Sequence, residues 1–68
     1  MKSRQFSSKE EAISYCKSVG TFKNWGRAGK DLEYAVCTLI IGNMVYHIDV
    51  YDDGLVKLRH ERYKHQDE

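Results

Sequence analysis

Proline is absent from this chain and cysteine occurs only twice, as Cys16 and Cys37. Two cysteines are too few for a small secreted disulfide scaffold. Long apolar runs are also missing. None approaches the roughly 20 residues that span a bilayer as a helix. The basic start at Lys2 and Arg4 has no apolar stretch behind it, so it does not read as a secretory signal. A cytoplasmic location is expected, with no membrane partner. Charge of one sign is lacking as well. Eleven basic residues face ten acidic ones, a formal net charge of +1. That excludes a histone-like strategy and says little about partners.

What is present fits one small domain spanning residues 1–68. A chain of 68 residues buries only about 60% of the surface its unfolded state exposes, which leaves one thin core. The apolar fraction of 41% and charged fraction of 31% are ordinary for a folded protein. The start at Met1 reads as that of a complete small gene product, although an excised domain expressed by itself would begin the same way.

Residues 1–6 form a polar lead-in, and residues 7–20 are predicted as one helix. Ser7 or Ser8 is the expected N-cap, with Glu10 or Glu11 as its capping-box partner. Ala12, Ile13, Cys16 and Val19 recur on one face, Lys17 suits the last turn, and Gly20 suits a C′ stop. This face is narrow and needs a sheet to lie on. Residues 21–31 read as a basic, aromatic loop.

Three strands follow, at about residues 32–41, 44–51 and 55–60. Gly42-Asn43 suits a two-residue type II′ turn. That turn pairs Ile41 with Met44, Leu39 with Tyr46, Cys37 with Ile48 and Ala35 with Val50, an apolar set for the core. The other face pairs Ile40 with Val45, Thr38 with His47, Val36 with Asp49 and Tyr34 with Tyr51. A slip of one residue would mix the two sets. For the second hairpin, a three-residue turn with left-handed Gly54 sets Val50 against Val56, Ile48 against Leu58 and Asp49 against Lys57. A two-residue Asp53-Gly54 turn would instead bury Lys57 and Arg59. The expected fold is therefore α+β, a single N-terminal helix on one face of a three-stranded antiparallel meander (α-β-β-β). Residues 61–68 are a charged tail, read as a fraying extension of the last strand.

Five side chains could ligate a metal: Cys16, Cys37, His47, His60 and His65. None forms a C-x-x-C or H-x3-H pair. The two cysteines read as small buried apolar residues. No metal or cofactor is expected. Nucleophile and phosphate-loop motifs are missing too, and His47 and Asp49 are explained by an exposed sheet face. The reading is not an enzyme.

Two surfaces remain. The open sheet face should show Tyr34, Tyr51 and Leu55 as one cluster and Ile40 with Val45 as another, with Thr38, His47 and Arg59 between. Such a face marks a partner site or self-association. Tyr34, Tyr51, Leu55, His47 and Arg59 are its candidate contacts. The first strand's outer edge carries no charge from Ala35 to Ile41, so it should be covered by residues 21–31 or by a second copy of the chain. The second surface is the segment 17–30, where Lys17, Lys23, Arg27 and Lys30 interleave with Phe22 and Trp25. Cations beside rings suit single-stranded nucleic acid. The same rings could instead fold back to close the core.

In helix-then-meander order the chain resembles a double-stranded RNA-binding domain, but it lacks that family's second basic helix and G-P-x-H loop. Lys9-Glu10-Glu11-Ala12-Ile13, Leu32-Glu33-Tyr34-Ala35-Val36 and Asp53-Gly54-Leu55-Val56 are similar in rhythm to PepSY domains. That resemblance implies an extracytoplasmic inhibitor, which the lack of an export signal opposes. The matching residues are generic cap, strand and turn signals, and neither family is assigned. The leading expectation is a small non-enzymatic interaction module, a regulator or inhibitor that binds a protein partner or itself through the open face. Nucleic-acid binding through Lys17, Lys23, Trp25, Arg27 and Lys30 is the alternative.

Overall fold

Strands, not loops, occupy most of the chain. The computed structural model describes residues 3–64. Their order is β1 (Ser3–Gln5), α1 (Lys9–Val19), β2 (Thr21–Ala28), β3 (Tyr34–Ile41), β4 (Met44–Tyr51) and β5 (Leu55–Tyr63). They form one antiparallel sheet, ordered β1-β5-β4-β3-β2, with the helix on one side.

The central strands carry the expected register. Tyr34 pairs with Tyr51, Cys37 with Ile48 and Ile41 with Met44. Val50 pairs with Val56, Ile48 with Leu58 and Asp49 with Lys57. Gly42 has φ 59, and Leu32 is the one non-glycine residue of positive φ among those described. Asn43 therefore has negative φ, as a type II′ turn requires. Gly54 has φ 95, its N–H donates to Tyr51 O at 3.0 Å, and the Asp53 carboxylate accepts from Leu55 N.

The three-stranded meander is overturned: the sheet has five strands. Residues 21–31 are not a loop; most of them form β2, paired to β3 from Thr21↔Ile40 to Ala28↔Tyr34. The physical reason is the edge itself. β3 has a full row of backbone donors and acceptors, and a neighbouring segment that leaves the helix at its foot satisfies them. Part of the lead-in is β1, paired to β5 through Ser3↔Lys57 and Gln5↔Leu55. The strand predicted over 32–41 starts at Tyr34, and the one predicted over 55–60 runs on to Tyr63. Residues 65–68 of the charged tail, including the metal candidate His65, lie outside the described residues.

The helix is capped by Ser8, whose hydroxyl accepts from Glu11 N at 3.1 Å, while Ser7 donates to the Glu11 carboxylate. Gly20 ends it differently from the left-handed stop expected. Its φ is −173, and its N–H donates to Cys16 O at 3.2 Å. A Cβ there would collide with the Ile40 carbonyl. Glycine is needed because the chain turns directly into β2 against β3, not because of its dihedral angle.

Ala12 and Cys16 from the helix meet Ala35, Cys37, Leu39, Ile48 and Val50 from the sheet, with Phe6, Ile13, Val19 and Phe22 packed around them. Phe22 thus joins the core. Both cysteines are free and buried.

Candidate functional site

Two β-bulges shape the face of the sheet opposite the helix. In β2, Asn24 pairs with Cys37 and Gly26 with Val36, so Trp25 is an extra residue. Asn24 and Gly26 build this bulge. The Asn24 side chain accepts from Gly26 N at 3.0 Å, and Gly26 has φ 131. In β5, Leu58 pairs with Ile48 and His60 with His47, so Arg59 is the extra residue. Bulges re-aim side chains and recur beside binding sites. Both extra side chains here lie on the open face.

Trp25 is 66% exposed. Its Nε1–H donates to Thr38 Oγ1 at 2.8 Å, which pins the indole edge and leaves the ring exposed. The Thr38 hydroxyl then has its own proton to give, and His47 Nδ1 lies 3.4 Å away as acceptor. The remaining proton of the His47 ring is therefore on Nε2. His60 stacks beside His47, with ring centroids 6.0 Å apart and 14° between planes.

These groups border a groove of about 440 Å³. Thr38, Ile40, Val45 and His47 form its floor, Trp25 a wall, and Lys23, Arg62 and Lys64 its cationic rim. Val45 is 3% exposed and Thr38 7%. The exposed Ile40–Val45 cluster expected from the sequence is therefore corrected. β2 and the long β5 flank these residues and carry side chains over them.

A second station lies towards the other end of the face. Tyr34 and Tyr51 rings are 5.1 Å apart. Lys57 Nζ sits 5.2 Å from the Tyr51 ring and the Arg59 guanidinium 5.9 Å from the Tyr34 ring. Arg59 also ion-pairs with Asp49 at 2.8 Å. Lys23 repeats the pattern over Trp25 at 5.9 Å. By register, Lys23, Lys57, Arg59 and Arg62 point to this face, Lys64 joins them at the groove, and Asp49 is the acid among them.

The expected partner residues divide between the two stations. Tyr34, Tyr51 and Arg59 come together, with Leu55 half-buried beside Tyr51, whereas His47 belongs to the groove. The nucleic-acid set is split more deeply. Lys23 and Trp25 are on the open face. Lys17 is in the last turn of the helix and Lys30 in the turn after β2. Arg27 is engaged elsewhere, donating to Leu32 O and to both carboxylate oxygens of Asp52, the nearer at 2.7 Å. That bond is the largest cause of a lowered Asp52 pKa. Residues 17–30 are thus not one surface, because a strand sends alternate side chains to opposite faces.

Reading the sequence alone missed Arg62, Lys64 and the floor of the groove. The bulge at Arg59 is the reason. Without it, Arg62 would fall on the helix side and Glu61 on the open side; the extra residue reverses that parity. On the helix side, a second groove of about 420 Å³ runs between Phe6, Tyr15, Ile41, Tyr46 and Leu58, and it is mostly apolar. Among the described residues no three His, Cys, Asp or Glu side chains gather as a metal site, and no helix is long and apolar enough to cross a membrane.

No protein-family model, curated protein or solved structure matches this chain.

Proposed function

We infer that the protein is a non-enzymatic binding module that holds an anionic partner on its open sheet face. The observation that carries this is the gathering of Lys23, Lys57, Arg59, Arg62 and Lys64 on one face of a chain whose formal net charge is only +1. Charge sorted in this way creates a local potential that the net charge conceals. The groups suited to acid–base or nucleophilic work have structural partners instead. Asp49 lies against Arg59, and both thiols are buried. The free buried thiols also support the cytoplasmic location, which belongs to the same proposal. The partner expected from the sequence was a protein or a second copy; the charge of the face narrows the class to acidic surfaces.

Retention on a heparin matrix tests this. The wild-type chain should elute late for its net charge, and Lys23→Ala/Lys57→Ala/Lys64→Ala much earlier. Lys9→Ala/Lys17→Ala/Lys30→Ala removes equal charge from elsewhere and should elute near the wild type. Equal shifts for the two triple variants would overturn the reading, since the open face would then be no more than its share of the total charge.

A further inference from the structure

Resting on that reading, we propose that the open face binds single-stranded nucleic acid, with bases stacked on Trp25 and on the Tyr34–Tyr51 pair and phosphates held by the lysines and arginines between and around them. An acidic peptide would use the cations and leave the rings idle. A duplex would offer phosphates, but its bases are already stacked on one another. A single strand uses both, because every base has a π-face and base–aromatic stacking tolerates sequence.

The placement of the rings fits such a strand. Trp25 lies opposite the step between Val36 and Cys37, two to three residues along β3 from Tyr34. At a strand rise of about 3.3 Å per residue, that is about 7–10 Å along the face. Stacked nucleotides advance about 3.4 Å each, so two or three of them span the stations. Cations accompany both stations. Lys23, Arg62 and Lys64 rim the groove at Trp25, and Lys57 and Arg59 sit over the tyrosines. The groove floor adds a specific donor, His47 Nε2–H, whose orientation is set through Thr38 by the Trp25 indole. Beyond the tyrosines the turns carry Asp31, Glu33, Asp52 and Asp53, which bound the face at that end and repel a longer run of phosphates.

Anisotropy of a fluorescein-labelled dT12 strand measures the binding directly. Saturable binding is expected, weaker by about 20- to 50-fold between 50 and 200 mM salt if three or four phosphates are neutralised on a single strand. Trp25→Ala should weaken it by about 5- to 100-fold, the range of one lost stacking platform, and Trp25→Phe should recover part of that. Circular dichroism verifies that the variants fold, and Lys23→Ala/Lys64→Ala supplies an independent loss. The labelled dT12·dA12 duplex should bind more weakly than the strand. A duplex that binds as tightly, or a Trp25→Ala variant that folds and binds as the wild type does, would overturn the proposal. Poly-L-glutamate tells the two readings apart. If it binds the open face and dT12 does not, the partner is an acidic protein and the module reading survives. If neither binds, both readings fail.

Discussion

Cys37 shows how far a residue's chemistry is set by its neighbours. It is fully enclosed, between the helix and the middle of the sheet. Desolvation pushes its thiol up from 9.0 to about 11, and nearby Cys16 and Asp49 add to the shift. Burial raises Cys16 as well. The thiolate is the reactive form, so both groups are inert in the folded chain. The folded state prefers the neutral thiol, whereas the unfolded chain ionises near 9.0. This contribution to stability is therefore complete below pH 9 and is lost as pH rises towards 11. An aromatic disulfide reagent at about pH 8 should find no reactive thiol in the native protein and two per chain in urea. Replacing Cys37 with Ala should flatten part of the fall in melting temperature between pH 9 and 11. Rapid labelling of the native chain would show that the helix does not seal this core. Arg59 makes the same point by geometry, since its place as an extra residue aims it at Asp49 and Tyr34.

At the scale of elements, the two hairpins use glycine for different reasons, and the difference is measurable. Gly42 has φ 59 and open space where a Cβ would be. Gly54 has φ 95, and a Cβ would lie 2.5 Å from Phe6 O and 2.9 Å from Ser8 O. The second turn is thus a docking point for the N-terminal segment. Phe6 N donates to Gly54 O at 2.9 Å, and the Gln5 side chain donates to Asp53 O at 3.0 Å. Gly42→Ala should cost only the left-handed penalty, about 1–2 kcal/mol. Gly54→Ala should cost clearly more, because Phe6 and Ser8 must also move. Urea unfolding of both variants decides this, and equal losses would mean that β1 and the helix start do not bear on the turn. The bulges in β2 and β5 belong to this scale too. Each is one residue long and leaves the rest of its ladder paired, yet together they supply the open face with Trp25, Arg59 and the parity that brings Arg62 there.

Over the whole molecule, one helix of 11 residues covers a sheet of five strands. The helix suffices for the centre, where Ala35, Cys37 and Val50 are fully buried. It does not reach across the outer strands, so an apolar groove remains beside it and the opposite face is open. Stability should be graded accordingly, since core strands open only with the whole fold while edges open locally. Native-state hydrogen exchange should find the slowest amides in β3 and β4, at the global unfolding free energy. Those of β1, three exposed residues paired on one side, should exchange far faster. Uniform protection across all five strands would contradict this gradient.

Much of this architecture was legible before folding was considered. The cap at Ser8, the turns at Gly42-Asn43 and Asp52-Asp53-Gly54, and the register from Tyr34 to Leu58 follow from local rules, because turn chemistry and the period-two pattern act over a few residues. Tertiary structure alone decided the rest. The Thr21–Ala28 segment carries Lys, Asn and Gly and has little strand character of its own; it becomes a strand because the edge of β3 lies beside it. Ser3–Gln5 pairs with β5 only once Phe6 has docked on the second turn. The binding face depends on two inserted residues, Trp25 and Arg59, whose effect on parity appears only when a partner strand is there to count against. Local signals determined which residues turn and which alternate. Long-range pairing determined which of them share a face, because backbone groups at a sheet edge must be satisfied and one extra residue reverses every side chain beyond it.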